Sequence, residues 1–156
     1  MIEYKIPGLK TVRAEHLVLD YNGTIAVDGM LIPGVSEMLG RIAPDLKVHV
    51  VTADTFGRAA AQLEGAPCSL AVLDPGDQDL RKLEYISALG AGSVIAIGNG
   101  RNDSLMLRDS AIGIAVIQAE GASAVTIMNS DIVCNSILDA LETVLNPLRV
   151  AATLRS

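Results

Sequence analysis

The sequence is poor in aromatic residues, cysteines and basic residues. Aromatic residues make up only 3% of the 156 residues, although half of the chain is hydrophobic. The core must therefore be aliphatic, built mainly from Val, Ile, Leu and Ala side chains. The formal net charge of −6 argues against a nucleic-acid-binding protein, because basic patches supply most of the affinity for phosphate backbones.

The two cysteines, Cys68 and Cys134, form neither a metal-ligand spacing nor a disulfide framework. Each lies in an apolar run, so we expect buried free thiols in a reducing compartment. The N-terminal residues lack the apolar segment of a signal peptide, and the chain has no run of about 18 apolar residues that could cross a membrane. The sequence therefore predicts a cytoplasmic protein with no membrane partner and no nucleic-acid partner.

The alternation of apolar runs and helical periodicity predicts the fold class. The length fits one domain, residues 1–156, that is large enough to bury a real core. The main predicted strands lie at about 16–20, 46–51, 68–73, 93–97, 111–117 and 131–134. Continuous apolar strands that alternate with helices indicate a parallel sheet covered on both faces. We therefore predict a three-layer α/β/α sandwich around a Rossmann-like sheet of five to six strands.

Local signals place the helices and a small flap. The predicted helices lie at about 34–42, 56–64, 77–89, 104–108, 119–128 and from 136 onward, with a break at Pro147. Asp54-Thr55 is expected to cap the second helix, and Ser136 to cap the last one. Asp28-Gly29 lies between short apolar arms, which predicts a β-flap after the first main strand. A further strand is predicted at residues 3–6.

Polar side chains follow four of the predicted strands. These groups are Asp20 with Asn22, Thr52 with Asp54, the segment 74–79 with Lys82 just beyond, and the segment 99–103. Parallel strands bring these ends to one edge of the sheet. Carboxylates can hold Mg²⁺, while Lys and Thr can bind phosphate oxygens, so the set suits a phosphoryl group. One carboxylate could also attack phosphorus and carry it covalently.

Each of these groups also has a purely structural interpretation. Asp20 could cap a turn, Thr52 could simply end a strand, and Lys82 could be a solvated helix lysine. The loop at Gly98 could begin a dinucleotide-binding turn, but Asp103 stands where that fingerprint needs a third glycine and would repel a pyrophosphate. The sequence contains no GxxxxGK[ST] loop, so it does not predict a P-loop protein.

Four segments, in this order and spacing, resemble the motifs of the haloacid dehalogenase superfamily and, within it, the phosphorylation domain of P-type ATPases. Residues 20–24 (DYNGT) are similar to D-x-D-G-T of the phosphatases and D-K-T-G-T of the ion pumps. Residues 51–55 (VTADT) are similar to the pumps' L-T-G-D-N, Lys82 falls at the third motif's lysine, and residues 98–103 (GNGRND) are similar to G-D-G-x-N-D. The chain thus looks like a soluble P-type ATPase-like protein.

The resemblance implies a role for each matching residue. Asp20 would be the nucleophile that forms an aspartyl-phosphate. The implied catalytic residues are Asp20, Asn22, Thr52 and Lys82. The implied phosphate-binding residues are Gly23, Thr24, Thr52, Ala53, Lys82 and Asn102. The implied Mg²⁺ ligands are Asp20, the backbone carbonyl of Asn22, Asn99 and Asp103.

Two amides depart from the family pattern. The phosphatases have an aspartate at the position of Asn22, where it protonates the leaving group and then activates water. An amide cannot titrate, and general acid–base catalysis of this kind is worth roughly 10²–10⁴-fold. Asn99 likewise removes one formal negative charge from the implied metal site, which should weaken it.

These features lead to two hypotheses. The first is a Mg²⁺-dependent hydrolase or phosphotransferase of small phosphorylated substrates, with a slow aspartyl-phosphate turnover. The second is a weak or inactive module that binds Mg²⁺ or phosphate as a regulatory or interaction protein. The intervals between motifs leave no room for a cap domain, and the pumps' nucleotide-binding domain has no counterpart. Capless relatives often close their sites by oligomerising, and the aliphatic composition is compatible with a homo-oligomer.

Overall fold

The structure is a computed structural model that describes residues 1–53 and 57–156. The strands are β1 Ile2–Ile6, β2 Lys10–Ala14, β3 His16–Asp20, β4 Ala26–Val27, β5 Met30–Leu31, β6 Lys47–Thr52, β7 Ser69–Val72, β8 Val94–Gly98, β9 Ile112–Val116 and β10 Ile132–Cys134. The helices are α1 Val35–Ile42, α2 Arg58–Gln62, α3 Gln78–Leu89, α4 Ser104–Asp109, α5 Ala124–Met128, α6 Ile137–Val144 and α7 Pro147–Leu154. Short 3₁₀ turns precede β8 and α4.

The centre of the molecule is a six-stranded parallel sheet in the order β10-β9-β8-β3-β6-β7. Strand β3 lies between β6 and β8, and all five of its residues are buried. Helices cover both faces, which confirms the predicted three-layer α/β/α arrangement. Because the strands are parallel, the carboxyl ends of β3, β6 and β8 meet at one edge.

The two faces of the sheet bury separate apolar cores. Leu17 and Leu19 point into the larger core, which also includes β1, β2, α1, α6 and α7. Val18 points to the opposite face, where it joins apolar residues of α3 and α4. This alternation follows from the pleat of a strand, in which successive side chains point to opposite faces. Strand β3 is therefore anchored from both sides, and its terminal residue, Asp20, is held on a rigid element.

An antiparallel hairpin of β1 and β2 packs beside the sheet. The sequence predicted a strand at residues 3–6, which is confirmed, but assigned residues 12–16 only as a lead into the next strand. The observed pairing joins Tyr4 to Val12, and the Tyr4 hydroxyl donates a 2.6 Å hydrogen bond to the Val144 carbonyl. The hairpin thus attaches to the C-terminal end of α6, a long-range contact that no local sequence pattern indicates.

The predicted flap is confirmed. Strands β4 and β5 form a two-stranded antiparallel sheet, and Asp28 and Gly29 form its turn, both with positive φ. Asp28 has a φ of 52°, a conformation that aspartate tolerates better than most non-glycine residues. The flap is too small to act as a separate cap.

Several predicted details differ from the structure. Helix α2 runs from Arg58 to Gln62, and the predicted helix start at residue 56 and the predicted Asp54-Thr55 cap lie outside the described residues. Helix α5 begins at Ala124, so the predicted helical residues 119–123 form a loop. The cysteines are free, as expected, but both are only half-buried. None of the helices in residues 1–53 and 57–156 is long and apolar enough to cross a membrane.

Both histidines of the chain lie in one hydrogen-bonded row with a tyrosine. His16 Nδ1 and His49 Nε2 are 3.0 Å apart, and His49 Nδ1 is 3.0 Å from the Tyr85 hydroxyl. Both imidazole rings can be neutral in this row. The Tyr85 hydroxyl then donates to His49 Nδ1, and His49 Nε2 donates to His16 Nδ1. Burial, followed by the charge of Lys47, lowers the pKa of His16, and burial followed by His16 lowers the pKa of His49.

We expect the free energy of unfolding to fall as the pH is lowered from about 7 to about 5. With lowered pKa values in the folded state, both rings take up protons more readily in the unfolded chain, so stability is lost below the unfolded pKa of about 6.5. Each ring contributes at most about 1.4 kcal/mol per pH unit. Chemical denaturation at several pH values, compared with the His16→Gln/His49→Gln variant, measures this effect. Equal pH dependence in both proteins would contradict it.

Candidate active site

The site forms where β3, β6 and β8 end. Asp20 is the last residue of β3 and lies opposite Val51 of β6 in the parallel register. Thr52, the last residue of β6, is 2% exposed. Asn99 directly follows β8 and is also buried. The predicted convergence of polar strand ends is therefore present.

Lys82 connects two of the predicted site carboxylates. Its Nζ donates a 2.7 Å hydrogen bond to Asp20 Oδ1 and a 2.6 Å hydrogen bond to Asp103 Oδ1. Lys82 is 1% exposed, Asp20 7% and Asp103 0%. A solvated helix lysine would not be buried in this way, so the structural interpretation of Lys82 as a surface residue is wrong.

Burial and the neighbouring charges in this cluster shift the pKa values of Lys82 and Asp103. Burial lowers the pKa of Lys82, but the charges of Asp20 and Asp103 outweigh this effect, so the pKa is raised overall. Burial and the nearby charge of Asp20 raise the pKa of Asp103 to about 6, against the lowering influence of Lys82. One ammonium serves two carboxylates, so the cluster has an excess of negative charge when both are ionised.

The turn after β3 holds the second oxygen of Asp20. The Thr24 hydroxyl lies 2.9 Å from Asp20 Oδ2 and 3.1 Å from Asn99 Oδ1. Gly23 has a φ of +80°, and a Cβ there would come within 2.3 Å of the Asn99 side-chain nitrogen. Only glycine fits a left-handed position in such close contact. Both oxygens of the Asp20 carboxylate are thus fixed, one by Lys82 and one by Thr24.

The loop after β8 is built around Asp103. Its Oδ2 accepts hydrogen bonds from the backbone amides of Asn99 and Gly100, at 3.0 and 2.9 Å. A Cβ at Gly98 would lie 2.5 Å from the Asp103 side-chain carbon, so this position also requires glycine. Asp103 therefore uses one oxygen for Lys82 and the other for the loop backbone.

Both ends of the Asn99 side chain face polar partners, and the Thr24 hydroxyl has one proton to share between Asn99 Oδ1 and Asp20 Oδ2. Asn99 Oδ1 faces the Thr24 hydroxyl, and Asn99 Nδ2 donates a 3.0 Å hydrogen bond to the Gly121 carbonyl. A carboxylate at this position would lack the donor for Gly121. The amide therefore has a structural function in this chain in addition to its implied place at a metal site.

The other predicted site residues are less enclosed. Asn22 and Ala53 are exposed, and Asn102 is half-buried. Asn102 lines an open cavity of about 380 Å³ together with Arg101, Asp77, Gln78 and Asp79. Gly23 and Thr24 are buried beside Asp20. The structure thus gathers Asp20, Thr24, Lys82, Asn99 and Asp103 into one hydrogen-bonded cluster.

The donor atoms of the site suit a hard cation. Within residues 1–53 and 57–156, no three His, Cys, Asp or Glu side chains form a metal-binding group. The available oxygens instead come from two carboxylates, the side-chain amide of Asn99 and the backbone after Asp20. Oxygen donors of this kind match Mg²⁺ rather than zinc or copper. The excess negative charge beside Lys82 also favours a bound cation.

The sequence did not indicate two residues, Gln118 and Thr126, that donate hydrogen bonds to the backbone of the site's loops. Gln118 donates from its Nε2 to the carbonyls of Gly23 and Thr24, at 3.0 and 2.5 Å. The buried Thr126 donates a 2.7 Å hydrogen bond to the Gly100 carbonyl. Gln118 lies two residues after β9. Asp20 was identified as a polar residue at the end of a parallel strand, and the same signal could have indicated Gln118.

Comparison with known proteins shows that this chain has a relative in an archaeon. No family model matches the chain. An uncharacterised protein of Methanocaldococcus jannaschii is 44% identical over 84 residues, which cover 51% of this chain and 90% of that protein. Identity at this level over nearly the whole relative shows that the two proteins share a family.

Solved structures of low sequence identity share the fold. One is the 3-deoxy-D-manno-octulosonate 8-phosphate phosphatase of Moraxella catarrhalis, in complex with a magnesium ion, a phosphate ion and KDO. It has a TM-score of 0.66 and 16% identity, and the match covers 86% of this chain and 87% of that one. The catalytic domain of the CPx-ATPase CopB-B has a TM-score of 0.59 and 21% identity over 74% of this chain and 46% of that one.

Both neighbours agree with the resemblance seen in the motifs. One is a phosphatase of the haloacid dehalogenase type and the other is a P-type ATPase catalytic domain. The chain therefore belongs to the family of the Methanocaldococcus jannaschii protein and has the fold of the haloacid dehalogenase superfamily.

Proposed function

We propose that this protein is a Mg²⁺-dependent phosphohydrolase or phosphotransferase that forms an aspartyl-phosphate on Asp20. The observation that carries the proposal is the buried Lys82 ammonium, which bonds both Asp20 and Asp103 at the carboxyl edge of the sheet. Such a cation beside a fixed carboxylate suits the binding of a doubly charged phosphoryl group. The magnesium and phosphate in the similar Moraxella catarrhalis phosphatase support the same chemistry.

In the first step, an Asp20 carboxylate oxygen attacks phosphorus. The bond from phosphorus to the leaving oxygen breaks, and its electron pair stays on that oxygen. Lys82 and Thr24 fix the two Asp20 oxygens beforehand, so little reorganisation is needed. Water then attacks the aspartyl-phosphate and gives its proton to solvent, which releases inorganic phosphate and restores Asp20.

The remaining residues bind charge on the phosphoryl oxygens. Lys82 is already charged, and its shared position lets it turn toward a bound phosphoryl group while Asp103 still holds it. The hydroxyl of Thr52 and the backbone near Gly23, Ala53 and Asn102 would supply further hydrogen bonds. Asp103 acts through Lys82 and through the loop amides.

The metal-binding group would consist of Asp20, the Asn22 carbonyl and Asn99, with Asp103 supporting it. When bound, Mg²⁺ would neutralise charge on the transferring phosphoryl group. With an amide in place of a carboxylate at residue 99, we expect weak metal binding. The bond from Asn99 to Gly121 keeps the oxygen of this amide oriented toward the Thr24 hydroxyl.

The absence of an acid at residue 22 narrows the substrate class. Asn22 cannot protonate a leaving oxygen, so the enzyme should favour leaving groups that are stable as anions. Small acyl phosphates and activated aryl phosphates meet this condition. The exposed position of Asn22 allows a substrate's leaving group to contact solvent, which can supply the proton slowly.

The first prediction concerns the covalent intermediate. Incubation with acetyl phosphate and Mg²⁺ should give an acid-stable, hydroxylamine-labile phosphoprotein, because an acyl phosphate on Asp20 is cleaved by hydroxylamine. Mass spectrometry of the quenched protein measures it. Asp20→Asn should give none, since an amide is not a nucleophile here. Mg²⁺ or phosphate binding by calorimetry, without any turnover or phosphoprotein, would instead favour the regulatory-module hypothesis.

A second prediction concerns the missing acid. Asn22→Asp should raise the kcat for an unactivated phosphate monoester by about 10- to 100-fold, part of the gain that general acid–base catalysis provides. The gain should be smaller for an aryl phosphate, whose leaving group needs less protonation. Asn22→Ala, which removes the amide without adding an acid, is the matched control and should give no gain. A rate for Asn22→Asp at or below that of the wild type would mean that the acid is not limiting.

A third prediction tests the buried charges without relying on turnover. Lys82→Met leaves Asp20 and Asp103 buried without their shared cation, so the free energy of unfolding should fall by about 3–5 kcal/mol. Removing one carboxylate in the same background, as in Lys82→Met/Asp103→Asn, should recover part of that loss. Denaturant titration measures both variants. Lys5→Met, at an exposed lysine that lies 3.3 Å from Glu3, is the control, and an equal loss there would contradict the buried role.

A further inference from the structure

Gln118 lies in the loop 117–123 and links this loop to two other parts of the molecule. Its Nε2 donates to the carbonyls of Gly23 and Thr24, in the turn that follows β3. Its Oε1 accepts a 2.9 Å hydrogen bond from the Ile137 amide at the start of α6. The partners themselves fix the orientation of the side chain, because its nitrogen faces two acceptors and its oxygen faces a donor.

The turn that Gln118 holds is the one that orients the proposed nucleophile. Thr24 donates its hydroxyl to Asp20 Oδ2, at 2.9 Å. The Gly23 amide donates to the Ala26 carbonyl at 2.8 Å, so the turn is already closed on its own side. The carbonyls of Gly23 and Thr24 point the other way, toward Gln118. Gln118 therefore fixes the peptide units of the turn from outside the site.

The hydrogen bond to Ile137 joins Gln118 to the buried start of a capped helix. Ile137 is the first residue of α6, a helix whose N-cap, Ser136, accepts a 3.1 Å hydrogen bond from the Asp139 amide. Ile137 is itself fully buried in the larger core. Gln118 thus connects the turn to α6 through one half-buried side chain.

The same loop also holds the segment after β8. The Gly121 carbonyl accepts from Asn99, and the Ser123 amide donates to the Asn99 carbonyl at 2.8 Å. The loop 117–123 therefore contacts the Asp20 turn and the Asp103 loop together. A shift of Gln118 would change how these two segments face each other across the site.

We propose that Gln118 is a positioning residue, which sets the orientation of the Asp20 carboxylate through the backbone at Gly23 and the hydroxyl of Thr24. Gln118 does not touch the reacting atoms. Its catalytic consequence rests on the proposed phosphoryl transfer to Asp20. Misplacement of a reacting group by about 1 Å can cost about 100-fold in rate, so the loss of this link should act on the chemical step rather than on substrate binding.

Two substitutions separate this role from simple stabilisation. Gln118→Glu keeps the length and the acceptor oxygen for Ile137, but it places a carboxylate against the two carbonyls and removes the donors. Gln118→Met keeps the approximate shape and removes all three hydrogen bonds. Gln62 is the matched control: its Oε1 accepts a 3.0 Å hydrogen bond from the Leu31 amide on the flap, outside the cluster of Asp20 and Lys82.

The experiment measures kinetics and amide exchange on the full chain. With acetyl phosphate and Mg²⁺, Gln118→Glu and Gln118→Met should lower kcat by about 10- to 100-fold, with KM within about twofold of the wild type. Hydrogen–deuterium exchange should rise by at least about tenfold at the amides of residues 23–26 in both variants, because the turn loses its outer support. Gln62→Met should change neither kcat nor exchange at residues 23–25, whereas Ala26, which pairs with Leu31 of the flap, is left out of this control comparison.

The two measurements distinguish failure of this proposal from failure of the proposed function. Unchanged exchange at residues 23–26 in both Gln118 variants would overturn the positioning role whatever the kinetics show. A kcat within twofold of that of Gln62→Met would also overturn it. A wild-type protein that forms no phosphoprotein, together with faster exchange in the Gln118 variants, would refute the phosphoryl-transfer function and support Gln118 as the residue that orients the Asp20 turn.

Discussion

The ammonium group of Lys82, enclosed between the carboxylates of Asp20 and Asp103, holds together three segments that are distant in the sequence. It joins α3 to the end of β3 and to the loop after β8, across sequence separations of 62 and 21 residues. A buried charge that lost one of these partners would be strongly destabilising. The contacts of Lys82 are therefore expected to stabilise the fold as well as to shape the site, and they are present without any substrate. Preorganisation of this kind is what electrostatic catalysis requires.

The parts of the fold that depend on local patterns could be predicted from the sequence. The apolar runs located β3, β6 and β8 to within one or two residues, because a strand buried on both faces must be apolar throughout. The polar residues that follow these strands, among them Asp20, Thr52 and Asp103, were then expected at one edge of the sheet, since parallel strands bring their carboxyl ends together. Lys82 was identified in the same way, just beyond the segment that follows the next strand, and the family resemblance gave its role, whereas its complete burial became clear only from the structure.

The parts that depend on long-range contacts could not be predicted. In residues 119–123 the two alanines and Glu120 favour a helix, but Gly121 disfavours one, has a φ of +73° and binds Asn99 through its carbonyl. The glycine and the tertiary hydrogen bonds together thus outweigh the helix propensity of the alanines in this loop. The partners of Gln118 lie 94 and 95 residues away in the sequence, so no window of sequence indicates them. The hairpin of β1 and β2 was incompletely predicted for the same reason, because its anchor on α6 is 140 residues away.

The amides at residues 22 and 99 have a consequence for the chemical ageing of the protein. Each of these asparagines is followed by glycine. An asparagine can lose ammonia through a ring closure and become a carboxylate. Glycine hinders this ring closure least, because it has no side chain. The closing atom is the next backbone nitrogen, and in the folded chain the Gly23 nitrogen is bound to Ala26 and the Gly100 nitrogen to Asp103. Folding thus protects both amides, whereas the unfolded chain leaves them open to conversion. A sample refolded after long storage in denaturant can therefore carry acidic groups at the two positions where the native chain has amides.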